Sequence, residues 1–89
     1  MASLESLALA HVLDQLSHWG ATQARRPSAP LPPAVEDALL TYIAMGLQAI
    51  RRAQSAPHAP DQRYHLAHAV QELTAAVAVL QEWTVLEGA

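Results

Sequence analysis

Residues 61–86 read DQRYHLAHAVQELTAAVAVLQEWTVL, and this segment carries two adjacent seams whose members recur at spacings of four and three. Such spacing places residues on one side of an α-helix. The first seam comprises Leu66, Val70, Leu73, Val77, Leu80 and Thr84, and the second comprises His65, Ala69, Glu72, Ala76, Val79 and Trp83. Because one helix with two neighbouring seams can contact two partners at once, the pattern predicts the third helix of a bundle, packed against both of the others.

Prolines divide the rest of the chain into two further helices. They occur within residues 26–33 and 55–60, and proline lacks the amide proton and disfavours a helical residue before it. These two stretches are therefore predicted to be loops. The helices are predicted at about residues 3–24, 34–53 and 62–86, with Ser3 and Asp61 as the N-caps of the first and third.

The second predicted helix carries a stripe of large apolar residues and one interior glycine. The stripe comprises Leu39, Ile43, Leu47 and Ile50 at helical spacing. Glycine costs about 1 kcal/mol relative to alanine inside a helix. We therefore interpret Gly46 as a point at which a neighbouring helix approaches closely.

The length and composition are those of one small helical domain. The chain has 89 residues, of which 52% are hydrophobic although none is Phe, and much of the apolar content is Ala, the best helix former. Three helices of similar length with short connections predict an all-α fold, an up-down-up antiparallel three-helix bundle over residues 1–89. We expect this bundle to be oligomeric or bound to a partner.

The charges and the cysteine content exclude several classes of function. The formal net charge is −3 and there is no Cys, which excludes disulfides and thiolate chemistry. All five basic residues are Arg, and the bundle places Arg25 and Arg26 at one end and Arg51, Arg52 and Arg63 at the other. Because these cations form no continuous stripe along phosphates, we expect no nucleic-acid partner. A small phosphate or acidic-partner site at the second end is the alternative.

The N-terminal segment predicts neither a signal peptide nor a membrane span. It has no basic leader, and Glu5, His11 and Asp14 interrupt its apolar residues. We therefore expect a soluble protein with a cytoplasmic location and no membrane partner.

No motif indicates catalysis. Ser, His and Asp are present, but none lies in a nucleophile elbow or a glycine-rich turn. A small helical bundle also offers little concave space from which water is excluded. We expect no enzymatic activity and no cofactor.

Possible metal ligands surround the start of the third helix. His65 and His68 are three residues apart and can face one ion, and His58 or Asp61 could complete a tetrahedral set. The spacing matches no established zinc pattern, however, and helix capping accounts for Asp61 without a metal. We therefore expect no physiological metal and treat these four residues as weak candidates.

Two leucines of the first helix lie away from its predicted core face. That core face comprises Leu9, Val12, Leu13, Leu16 and Trp19. Leu4 and Leu7 project to the side that carries His11 and His18, and leaving a leucine exposed forgoes about 1.5–3 kcal/mol of burial free energy. We therefore predict that Leu4 and Leu7 contact another chain.

The second seam of the third helix is the other predicted interaction surface. Its members Ala69, Glu72, Ala76, Val79 and Trp83 combine small residues, an aromatic anchor and one carboxylate. Full burial of an unpaired carboxylate costs several kcal/mol, so we expect an Arg of a partner to face Glu72. The alternative is that this seam packs against the second helix while Glu72 reaches water.

Two functions follow from these patterns. The first is a small non-enzymatic protein–protein interaction module, similar to an adaptor, chaperone or inhibitor, that presents a helix face to a partner or to itself. The second is a small ligand- or metal-responsive regulator that uses His58, Asp61, His65 and His68 as its sensor.

Overall fold

The computed structural model describes the backbone of residues 4–24 and 31–88 and the side chains of residues 4–20 and 31–83. These residues form three α-helices, α1 (Leu4–Ala24), α2 (Pro33–Ser55) and α3 (Ala59–Gly88), and the described ranges contain no strand. The predicted all-α three-helix fold is confirmed. None of the helices in these ranges combines the length and the apolar character that crossing a bilayer requires.

Proline determines where α2 begins. Pro33 is the first helical residue and Pro32 precedes it with an extended backbone, φ −57° and ψ 146°. The first turn of a helix tolerates proline because the amide groups there have no partner within the helix. No side chain caps this end, and Glu36 supplies an acidic residue to the first turn.

The connection between α2 and α3 is shorter than the sequence predicts. The second helix continues through Ser55 and ends because Ala56 precedes Pro57, whose ring forces an extended conformation on it, with ψ 127°. The third helix then begins at Ala59, because Pro60 is tolerated in a first turn. The prediction of Asp61 as the N-cap is therefore wrong, since Asp61 already lies inside the first turn and the His58 carbonyl accepts the amide N–H of Gln62 at 3.0 Å.

One side chain ties this connection together. The Gln62 amide donates a hydrogen bond from Nε2 to the carbonyl oxygen of Ala56 at 2.9 Å. We expect Gln62→Ala to lower the free energy of unfolding by about 0.5–1 kcal/mol relative to Gln71→Ala, because an exposed hydrogen bond contributes little more than that. Gln71 is an exposed glutamine of the same helix, so the control carries the same change in helix propensity. Equal denaturation midpoints for the two variants would contradict this role of Gln62.

The third helix is the centre of the fold. It packs against both α1 and α2, whereas in the part of the chain that the structure describes no Cα atom of α1 lies within 8 Å of a Cα atom of α2. Leu39 packs with Ala76 and Leu80, and Gly46 lies against Leu73, so α2 and α3 run antiparallel. The predicted contact of α3 with two partners is thus present, while the direction of α1 and hence the up-down-up order stay predictions.

The core is built mainly from small residues. Its buried members are Val12, Leu39, Gly46, Ala49, Ala53, Ala69, Leu73, Ala76 and Leu80. On α3 the buried residues come alternately from the second seam, with Ala69 and Ala76, and from the first seam, with Leu73 and Leu80. The side of α3 that faces the neighbouring helices therefore lies between the two predicted seams. The other first-seam side chains in the described part, Leu66, Val70 and Val77, are only half-buried.

Two leucines predicted to lie in the core are exposed instead. They are Leu13 of α1 and Leu47 of α2. Successive side chains of a helix point in directions about 100° apart. Because Gly46 lies on the buried face of α2, Leu47 points to the flank of the contact between α2 and α3. The prediction was wrong because it centred the face of α2 on the large residues, whereas the small residues Gly46, Ala49 and Ala53 face α3.

Candidate interaction surface

The second seam of α3 is mainly an internal boundary. Ala69 and Ala76 are fully buried within the chain, and Val79 is half-buried against the cluster formed by Leu39, Ala76 and Leu80. Ala69 and Ala76 are therefore not available to a partner, which corrects their assignment as partner-binding residues. The physical reason is their size, since alanine allows helix axes to approach within about 8–10 Å.

Glu72 obtains a neighbour from its own helix. Its side chain is largely buried, and Oε1 lies 3.3 Å from Nε2 of His68, one turn earlier. This pairing is the one that residues four apart make on a helix. His68 therefore stands where the sequence predicted an Arg of a partner.

The two tryptophans contribute apolar area rather than hydrogen bonds. Trp19 packs against the cluster of Leu39, Ala76 and Leu80, and Trp83 is half-buried on α3. The indole Nε1 of each is buried and has no acceptor among the described residues. Trp83 thus has most of its indole covered within the chain, and its contact with a partner stays a prediction.

Leu4 and Leu7 lie where the sequence predicts, on the outer side of α1. Their exposed fractions are 82% and 58%, the first being the highest of the large apolar residues described. The structure therefore leaves both side chains available to another chain. Their contact with another chain stays a prediction.

A second exposed apolar surface, which the sequence reasoning missed, runs along α2. Leu40 and Leu47 are 57% and 48% exposed, and Ile43 and Ile50 are half-buried beside them. The four residues are spaced three, four and three apart, so they form one ridge on the flank of the α2–α3 contact. Glu36 and Gln54 continue the same spacing by four residues at each end.

We call these six residues, Glu36, Leu40, Ile43, Leu47, Ile50 and Gln54, the α2 stripe. The first helix does not cover its two leucines, since Leu40 and Leu47 stay exposed in the described structure. A signal for it was present in the sequence. The small residues Gly46, Ala49 and Ala53 form a separate line at the same spacing, so the helix has two faces, one suited to close packing and one that carries leucines.

An open cleft of about 390 Å³ lies where α2 meets α3. Its lining residues are Arg51, Arg52, Ser55, Ala56, Pro57, Asp61 and His65. Two of the three arginines considered for a phosphate or acidic-partner site, Arg51 and Arg52, thus line it and Arg63 does not. Nδ1 of His65 is buried and has no hydrogen-bond partner among the described residues. The Asp61 carboxylate shares the cleft, so the lining carries both signs of charge.

The structure does not assemble the histidine cluster. Asp61 and His65 line the cleft, whereas His58 and His68 do not. Across residues 4–20 and 31–83, no three side chains of the metal-binding types lie close enough to hold one ion. The geometry therefore supports an interaction surface on α2 and α1 better than a metal site at the start of α3. No protein-family model, curated protein or solved structure matches this chain.

Proposed function

We propose that this protein is a small non-enzymatic interaction module that binds a protein through the α2 stripe. The observation that carries the proposal is the exposure of Leu40 and Leu47 on a ridge that α1 leaves uncovered. Single exposed leucines are ordinary on protein surfaces, but a contiguous apolar ridge marks an interaction site. Covering the exposed halves of two leucines contributes about 2 kcal/mol.

The first helix adds a second surface to the proposal. Leu4 and Leu7 stand one turn apart and are more exposed than the leucines of the α2 stripe. The module therefore has two apolar surfaces on different helices, and these can serve one large partner or two separate ones.

We propose a cytoplasmic protein with no cofactor and no nucleic-acid partner, since the described arginines stand at the α2–α3 end rather than along a groove. We do not extend the proposal to metal sensing, because the four candidate ligands do not converge.

Site-specific photocrosslinking tests the interaction surface directly. We expect p-benzoylphenylalanine at position 47 to form a covalent adduct with a protein on irradiation in the cells that produce this chain. The same probe at position 48 is the matched control, because Gln48 is the next residue of α2, is exposed and lies about 100° further round the helix. A third probe at position 7 tests the surface on α1.

The mass of the adduct identifies the partner, and its position identifies the surface. Adducts at position 47 or 7 but not at position 48 would support the proposal. Absence of adducts at both leucine positions, with helicity retained by circular dichroism, would overturn it, as would equal crosslinking at position 48.

A further inference from the structure

We infer that the occupant of the α2 stripe is a second copy of this chain, docked antiparallel across a two-fold axis level with residue 45. This inference rests on the proposed function and names the partner that it leaves open. Three features carry it, namely the symmetry of the stripe, the distribution of charge along α2 and the absence of ion pairs for those charges in the described part of the chain.

The α2 stripe is symmetric about residue 45. Ile43 and Leu47 lie two residues to either side, Leu40 and Ile50 lie five to either side, and Glu36 and Gln54 lie nine to either side. Two antiparallel copies of such a helix place each member of a pair opposite its counterpart. Leucine then faces isoleucine at every apolar layer, and the spacing of four and three is the one that lets two helices interdigitate over several turns.

The charges on α2 complement each other only when two copies run antiparallel. Glu36 and Asp37 lie at the N-terminal end of the helix, and Arg51 and Arg52 lie near its C-terminal end. All four side chains are exposed, and none of them has an ion-pair partner within the described residues. An antiparallel second copy brings its Arg51 beside Glu36 and so forms two equivalent pairs, whereas a parallel copy would set like charges against each other.

A simpler reading explains the same charges within one chain. Acidic residues at a helix N-terminus and basic residues at its C-terminus complement the helix dipole. That reading requires no partner and no apolar ridge between the charges. Exchanging the charges of Glu36 and Arg51 distinguishes the helix-dipole explanation from the antiparallel dimer. The two residues are fifteen positions apart, about 22 Å along the helix axis, and cannot meet within one chain.

Mass measurement by sedimentation equilibrium on the full chain provides the test. We expect the parent to associate to twice its mass of 9.6 kDa. Glu36→Arg alone and Arg51→Glu alone should each raise the dimer dissociation constant about tenfold, because each replaces two attractive pairs with two repulsive ones. The double variant Glu36→Arg with Arg51→Glu should return to within about threefold of the parent.

Two apolar variants complete the design. Leu47→Ser should abolish the dimer with helicity retained, whereas Met45→Ser should leave it intact. Met45 is the matched control because it is 40% exposed, close to the 48% of Leu47, and lies on the opposite flank of the same helix. Circular dichroism of each variant shows whether a loss of mass reflects unfolding.

The outcomes distinguish the inference from the function on which it rests. A monomeric parent that crosslinks at position 47 to a foreign protein would overturn the second copy and leave the interaction module standing. The antiparallel α2 contact would be overturned if the Leu47→Ser variant still dimerised. It would also be overturned if the double charge variant associated as weakly as the single charge variants. A monomeric parent without adducts at positions 47 and 7 would overturn both.

Discussion

Replacing Leu73 with Ala should lower the free energy of unfolding by about 2–5 kcal/mol. Leu73 is the largest fully buried side chain of the described residues, only 1% exposed, and it packs directly against the backbone of α2 at Gly46. Removing its isobutyl group leaves a cavity where Gly46 of α2 meets α3. Against the total of about 4–13 kcal/mol expected for 89 residues, this loss is large enough to unfold much of the population.

Chemical denaturation followed by circular dichroism measures this loss. The matched control is Leu13→Ala, since Leu13 is an exposed leucine of α1 and its removal should cost less than about 1 kcal/mol. Both variants are compared at a concentration where the parent is monomeric, so that self-association does not contribute. Similar losses for the two variants would show that Leu73 is not the centre of the core.

Gly46→Ala should also destabilise the protein, although alanine is the better helix former. A Cβ atom at position 46 would lie 2.6 Å from Cγ and 2.7 Å from Cδ2 of Leu73, far inside van der Waals contact. Overpacking of this kind costs about 1–3 kcal/mol, and the gain in helix propensity offsets at most about 1 kcal/mol of it. We therefore expect a net loss of up to about 2 kcal/mol.

The sign of this effect should reverse when Leu73 is absent. In the Leu73→Ala background the clash is removed, so Gly46→Ala should raise the free energy of unfolding by up to about 1 kcal/mol through helix propensity alone. Gly20→Ala is the positive control, because a Cβ there meets no atom within 4 Å. If Gly46→Ala has the same sign in both backgrounds, the close contact between Gly46 and Leu73 does not determine the packing of α2.

The close packing of α2 against α3 explains both why small residues line the core and why leucines are exposed on the surface of α2. Because Gly46, Ala49 and Ala53 occupy the face of α2 that meets α3, the two helices approach closely and leave no room for a larger side chain at position 46. Leu40 and Leu47 are consequently placed on the flank, where no described helix covers them. The same packing that stabilises the helix pair therefore creates the α2 stripe.

Much of the local structure followed from the sequence. The prolines predicted both connections to within a few residues, and the interior Gly46 predicted a close helix approach that Leu73 provides. The exposed position of Leu4 and Leu7 also followed from helical spacing. These features are local, because they depend on the conformational limits of proline and glycine and on angles within one helix.

The tertiary structure alone decided which faces of α2 and α3 are internal. Periodicity gives the angle between residues of one helix, but it does not give the rotation of that helix about its axis relative to its neighbours. That rotation depends on side-chain volumes in both helices at once, which is why Ala69 and Ala76 are buried while Leu47 is exposed. The three helices were thus predicted from the sequence, whereas the core face of α2 was determined by how closely Gly46 lets this helix approach Leu73.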